Sequence, residues 1–262
     1  MIFTDQIGIK ITLPERSLRI VSVVPSQTEL LSDLGLDEEV VGITKFCIHP
    51  NDWFRNKVRI GGTKNLNIEK IIELKPDVVF ANKEENNKGD IDELQKHFPV
   101  WTSDIKDLND ALNMIHQIGK ICSREKEAKL ITEKIRITLS DSKNTDTLTC
   151  VYLIWQNPVM TIGADTFIND MLKRAGFKSL TDDLERYPIL TEQMLIELNP
   201  EYLLLSSEPF PFKDEHIAYY QKLLPQSKVM KVDGEMFSWY GSRLVKAAGY
   251  FSELRLKIEN AS

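Results

Sequence analysis

Cysteine is scarce in this chain of 262 residues: Cys47, Cys122 and Cys150 are an odd number, and no two form a CxxC pair. That excludes a disulfide framework and a cysteine-based structural zinc site, leaving all three as small core residues. Histidine is nearly as scarce, at four, and glycine (12) and proline (11) are too few for a fibrous or disordered chain. No apolar run approaches the roughly 20 residues that a membrane-spanning helix requires, and the first one, residues 20–24, is strand-length. No Lys/Arg cluster offsets a formal charge of −6, so the dense basic face of a nucleic-acid binder is missing and no nucleic-acid partner is expected. The segment Met1-Ile-Phe-Thr-Asp-Gln-Ile-Gly8 lacks the basic start, apolar core and small-residue cleavage site of a secretory signal, so the sequence as it stands reads as cytoplasmic. GxSxG, HExxH and a Gly-rich phosphate loop are all absent; Gly61-Gly-Thr-Lys64 has the wrong spacing and reads as a turn. No catalytic constellation remains, and the chain is read as a non-enzyme.

What is present is ordinary globular composition, 42 % apolar and 27 % charged, arranged as alternating strands and helices. Arg19-Ile-Val-Ser-Val-Val-Pro25 is a strand cut off by proline, and residues 26–35 follow with helical spacing and a terminal Gly. Ser26 and Glu29 have the spacing of a capping box. Residues 40–44 form a second strand, 67–74 a helix stopped before Pro76, and 77–81 and 100–102 further strands. Such alternation implies parallel sheets covered by helices. From Leu108 the spacing changes: Leu112, Ile115, Ile118, Ile121, Ala128, Ile131, Ile135 and Leu139 predict one helix of about 30 residues, with Gly119 its soft point. The polar stretch 141–147 breaks it, Cys150-Val-Tyr-Leu-Ile-Trp155 starts a second alternation, and a helix over residues 166–175 ends at Gly176.

Organisation follows from an internal repeat. Glu73-Leu-Lys-Pro-Asp-Val-Val-Phe-Ala-Asn-Lys-Glu84 aligns without a gap on Glu197-Leu-Asn-Pro-Glu-Tyr-Leu-Leu-Leu-Ser-Ser-Glu208, one copy on each side of the long helix. The expected fold is α/β, two parallel-sheet lobes joined by one long helix: an amino-terminal lobe over residues 1–106, the helix over 107–141 and a carboxy-terminal lobe over 142–262.

These residues resemble the class III periplasmic binding proteins, the vitamin B12, haem and ferric-siderophore receptors of ABC importers, with the vitamin B12 receptors closest in pattern. The first half carries Arg19-Ile-Val-Ser-Val-Val-Pro-Ser-Gln-Thr-Glu-Leu-Leu31, Val40-Val-Gly42, Gly61-Gly62 and Asn67-Ile-Glu-Lys-Ile-Ile-Glu-Leu-Lys-Pro-Asp77. The second carries Ile162-Gly-Ala-Asp-Thr-Phe-Ile-Asn-Asp-Met-Leu-Lys-Arg-Ala-Gly176, Tyr187-Pro-Ile-Leu-Thr-Glu-Gln193 and Asn199-Pro200. The resemblance implies a metal-chelate ligand held in the cleft between the lobes, a location in the periplasm or cell envelope, and an ABC transporter permease as partner. It also implies one surface acidic residue per lobe that docks on the permease. Glu69 matches in the first lobe; in the second, Glu192 is the candidate, although strict spacing from Pro200 points to Gln193.

In open α/β sheets ligands meet the loops at the carboxyl ends of strands. Those loops offer Pro25, Ser26, Gln27, Phe46, His49, Thr63, Lys64, Lys83 and Glu84 in the first half, and Trp155, Gln156, Pro158, Phe210, Phe237, Trp239 and Tyr240 in the second. Trp155 and Trp239 stand out because polar or proline-containing loop surrounds each. Aromatic groups suit a large flat ligand. No metal ion of the protein's own is expected, since no second ligand accompanies His49; its imidazole remains a candidate axial ligand to a chelated metal. An anionic ferric siderophore would want several basic groups, and the second-half loops offer mainly Arg243, which favours a cobalamin-like corrinoid; haem stays open through His49 or Tyr240. No resident cofactor is expected, and the chain is read as a monomer. The alternative is a cytoplasmic enzyme, chaperone or sensor of cofactor metabolism on the same scaffold.

Overall fold

The computed structural model describes residues 1–16, 18–140 and 148–260, so the polar break at 141–147 and the expected lobe boundary at 141/142 lie outside the described residues. Contacts divide the chain into two units. One comprises residues 1–105, 109–134 and 240–243; the other comprises 106–108, 135–239 and 244–262.

The first unit opens with an antiparallel pair, β1 (Ile2–Thr4) and β2 (Lys10–Thr12). Its centre follows as β3 (Ile20–Ser22), α1 (Pro25–Asp33), β4 (Val40–Ile43), α2 (Asn51–Asn56) and β5 (Val58–Arg59). After the small hairpin β6 (Gly61–Gly62) and β7 (Asn65–Leu66) come α3 (Ile68–Leu74), β8 (Val78–Asn82), α4 (Lys88–Leu94) and β9 (Val100–Ser103). The sheet order is β5-β4-β3-β8-β9, every pair parallel. Strands covered on both faces read as continuous apolar runs. Accordingly all of Val78–Asn82 is buried. The order reverses direction between β3 and β8, which is the switch point where loops diverge and leave a crevice.

The second unit contains β10 (Leu148–Trp155), β11 (Met160–Thr161), α7 (Phe167–Arg174), β12 (Phe177–Ser179), α8 (Glu192–Leu198) and β13 (Tyr202–Ser206). It finishes with α9 (Asp214–Leu223), β14 (Lys228–Val232), α10 (Gly234–Ser238) and α11 (Leu244–Asn260). Strands β12, β13 and β14 run parallel in this sheet, with β10 between β12 and β13 and only β11 antiparallel. Its switch point lies between β10 and β13. Val151, Leu153, Leu195, Leu203, Leu205 and Tyr220 form the core beneath α8 and α9. The helix expected over 166–175 is present, capped by Thr166 and followed by Gly176 at φ +82°.

The internal repeat is a structural repeat in strict register. α3 and α8 are each seven residues long, capped by Asn67 and Thr191 side chains and ended by the left-handed residues Lys75 and Asn199 before a proline. One residue beyond each proline a carboxylate accepts the backbone N–H that leads into the neighbouring strand: Asp77 from Arg19 at 2.7 Å and Glu201 from Thr149 at 2.6 Å.

Two local expectations are corrected. The helix beginning after β3 has Val24 at its N-cap and Pro25 at N1, so Ser26 is an interior residue and caps nothing. Glu29 makes no capping box; it is buried in a two-pronged ion pair with Arg243, both bonds 2.8 Å. The second correction concerns the single long helix, which is two: α5 (Leu108–Ile121) and α6 (Glu125–Ser140). The break is a Schellman closure. Ser123 sits at φ +54°, its N–H donates to Lys120 O, and Arg124 N–H donates to Gly119 O at 2.7 Å. Gly119 is not a soft point inside a helix. A Cβ there would collide with Ala128 Cβ, so its bare backbone is what lets α6 pack onto α5. Among the described residues no helix is long and apolar enough to cross a membrane.

Candidate ligand-binding loops

In the first unit the loops at the carboxyl ends of the strands are braced by two buried asparagines. Asn82 Oδ1 accepts the N–H groups of Glu84 (2.8 Å) and Glu85 (3.0 Å), and its Nδ2 donates to Ser103 Oγ. Asn86 Oδ1 accepts Asn82 N–H, while its Nδ2 donates to Val23 O and Thr63 O. Together they fix residues 83–86 against the β6–β7 turn. Neither was a sequence candidate; the signal was the Asn-x-x-x-Asn spacing that follows β8. Lys64 Nζ donates to Glu84 O, and Lys83 pairs with Asp104 at 2.6 Å.

The switch point of this sheet carries Pro25, Ser26 and the 83–86 loop. Tyr240, which belongs to this unit, donates its hydroxyl to Glu85. Burial, reinforced by the charge of Glu85, pushes the Tyr240 phenol well above its ordinary value, so it remains a neutral donor. A Cβ on Gly241 would collide with Ser26 O, so the segment 240–243 needs a glycine to approach α1. Tyr240 is only 6 % exposed, and Gln27 is entirely buried with Nε2 committed to Ser103 Oγ and Ala81 O. The Gln27 amide thus braces α1 against β8 and β9.

After β4 the loop presents Phe46, 51 % exposed, with Lys45 Nζ 5.1 Å from its ring centroid. Behind it Cys47 is buried and accepts from Thr28 Oγ1 at 3.0 Å, with Thr44 Oγ1 at 3.2 Å. Burial pushes that thiol up, which suits an anchor better than a reactive group. His49 and Thr63 are half-buried in the same loop set. Among the described residues no group of three His, Cys, Asp or Glu is placed to hold a metal ion.

In the second unit Trp155, 39 % exposed, meets Phe210 edge to face with centroids 5.6 Å apart. Trp155 ends β10 and Phe210 lies in the loop after β13, so the pair flanks the switch point. Gln156 accepts from the Tyr220 hydroxyl, and Pro158 is exposed. Two of the aromatic candidates are buried rather than open on the loops. Phe237 is wholly buried among Tyr152 and Phe251, and Trp239 is 6 % exposed with Nε1 donating to Glu208 Oε1 at 2.9 Å. Arg243, the one basic group expected here, is spent on Glu29. Glu208 is the residue that sequence reasoning passed over, although it closes the second copy of the repeat. Burial and the charges of Glu235 and Asp233 push its carboxyl up, while Ser238 and Trp239 oppose that by donating to it.

Glu69 and Glu192 are exposed in the first turns of α3 and α8. The register of the two helices pairs Glu69 with Gln193, each at the second helical position, and places Glu192 one position earlier, where it accepts from the Tyr219 hydroxyl.

The two α/β units each gather loops at the switch point of a mainly parallel sheet. The periplasmic binding protein family matches residues 20–225, and the chain belongs to that family. The ABC transporter substrate-binding lipoprotein YvrC of Bacillus subtilis is 26 % identical over 258 residues, covering 93 % of this chain and 81 % of that protein. The vitamin B12-binding protein of Pectobacterium carotovorum is 19 % identical over 88 % of this chain and 85 % of its own. Among solved structures, the periplasmic vitamin B12-binding protein BtuF of Vibrio cholerae superposes with a TM-score of 0.79 at 19 % identity, covering 94 % of this chain and 99 % of its own. The haem-binding protein HutB of the same organism gives 0.78 at 19 % identity over 91 % and 98 %. The class III fold expected from the sequence is thereby shown.

Proposed function

We propose that this solute-binding protein captures a metal-chelate ligand, with a cobalamin-like corrinoid favoured over haem and ferric siderophores, and presents it to the permease of an ABC transporter. The observation that carries the reading is the exposure of Phe46 and Trp155 on strand-end loops, with the half-buried Phe210 edge to face on Trp155. Large aromatic faces left open at such loops suit the apolar surface of a flat macrocycle. His49, Thr63, Lys64 and Glu84, on strand-end loops of the same unit as Phe46, and Gln156, next to Trp155 in the chain, are proposed as the polar groups that orient such a ligand. The names of the relatives support the choice of ligand class, since two of them bind vitamin B12 and one binds haem. No step of chemistry is assigned to the chain, and it works as a monomer. Glu69 and Glu192 are proposed as the acidic contacts to the permease.

Equilibrium dialysis against cyanocobalamin, haemin and ferrichrome tests the reading. One of the three is expected to bind with one equivalent per chain, and Trp155→Ala is expected to weaken it by about tenfold, the loss of one large stacked contact. Failure of all three to bind would refute the proposal.

A further inference from the structure

Glu208 stands two residues beyond β13 at the switch point of the second sheet, and it is held on several sides. Its backbone carbonyl accepts from Ser206 Oγ at 2.5 Å. A Cβ on Gly234 would lie 2.8 Å from its Cγ, so the glycine makes room for the stem of the side chain. Ser238 Oγ (2.6 Å) and Trp239 Nε1 (2.9 Å) both donate to the same oxygen, Oε1. Among the described residues no donor reaches Oε2, and the side chain is half-buried. A surface glutamate would spread its oxygens over water and several rotamers; this one has a fixed direction and one acceptor left over. Asp233 and Glu235, just beyond β14, add negative charge beside it.

The donors Ser238 and Trp239 favour the ionised form against the burial that opposes it, and with Glu208 ionised a ligand group placed against Oε2 must donate a hydrogen bond while a carboxylate there is repelled. We infer that Glu208 is a specificity-determining residue that accepts an N–H from the ligand and selects chelates rimmed by uncharged amides over chelates rimmed by carboxylates. This inference rests on the metal-chelate reading above and narrows it. Cyanocobalamin and ferrichrome present amide N–H groups and no carboxylate; haemin and ferric citrate present carboxylates.

Glu208→Gln keeps the shape and lets Ser238 and Trp239 go on donating to Oε1, but it places an NH2 group where Oε2 was. Donor then faces donor. Calorimetric titration of wild type and variant against those four ligands is the test, with thermal unfolding to confirm that the variant is folded. Wild type is expected to bind cyanocobalamin or ferrichrome in preference to haemin and ferric citrate. The variant is expected to lose about tenfold or more for the preferred ligand and to narrow the gap to haemin. Should the variant fail to fold, the wild-type order of affinities decides alone. A wild type that prefers haemin or ferric citrate, or a folded variant with unchanged affinities, overturns the role of Glu208 and leaves the receptor reading standing. No binding to any of the four overturns both.

Discussion

Glu29 and Arg243 meet at 2.8 Å through two parallel bonds, each side chain less than a tenth exposed, though 214 positions separate them in the chain. Removing one partner of such a pair strands a charge in a dry site. Arg243→Ala is expected to lower the unfolding free energy by about 3–5 kcal/mol, and the double replacement Glu29→Ala/Arg243→Ala by less than the sum of the singles, measured by urea denaturation. The three cysteines give a second residue-level expectation. Cys47, Cys122 and Cys150 are buried, and burial pushes each thiol up. A thiol-reactive dye should label none rapidly in the native protein and all three in denaturant. Residue identity was the least readable level of the site. Trp239 and Phe237 follow a strand end as Trp155 does, but whether an aromatic turns inward depends on partners remote in sequence. Glu208 offers its carboxylate to the Trp239 indole, and Tyr152 and Phe251 pack on Phe237. No local pattern carries that information.

Elements were more legible, and the larger of the two corrected expectations has a clear physical cause. α3 and α8 announce themselves through Asn67 and Thr191 at their starts and Pro76 and Pro200 past their ends, side chains that act locally on the backbone. The break between α5 and α6 does not, because its left-handed position is held by Ser123 rather than glycine and apolar spacing resumes at Ala128, five residues on. Two substitutions test it by chemical denaturation. Gly119→Ala should gain helix propensity of about 1 kcal/mol in an isolated helix, yet here its Cβ meets Ala128, so a net loss of about 1–3 kcal/mol is expected. Ser123→Gly relieves the left-handed strain and should stabilise by roughly 0.5–1 kcal/mol. A stabilising Gly119→Ala would mean that α5 and α6 form the continuous helix the spacing suggested.

For the molecule as a whole, parallel-sheet architecture was legible because alternation of strands and helices leaves few ways to cover a sheet, and because the repeat recurs at a constant offset of register. The proposed location of the ligand loops followed from the same topology, since strand ends and switch points need no side-chain detail. What the loops recognise depends on side-chain direction, and there the structure shows Asn82 and Asn86 bracing the loops, Glu208 anchored by Ser238 and Trp239, and Gln27, Phe237 and Trp239 buried. The most direct test of a receptor for a coloured metal chelate is optical. Titrated with cyanocobalamin and followed by absorbance and by tryptophan fluorescence, the protein should saturate at one equivalent, and the ligand should be recovered unchanged after denaturation. An unsaturable response, or a ligand recovered chemically altered, would contradict the account.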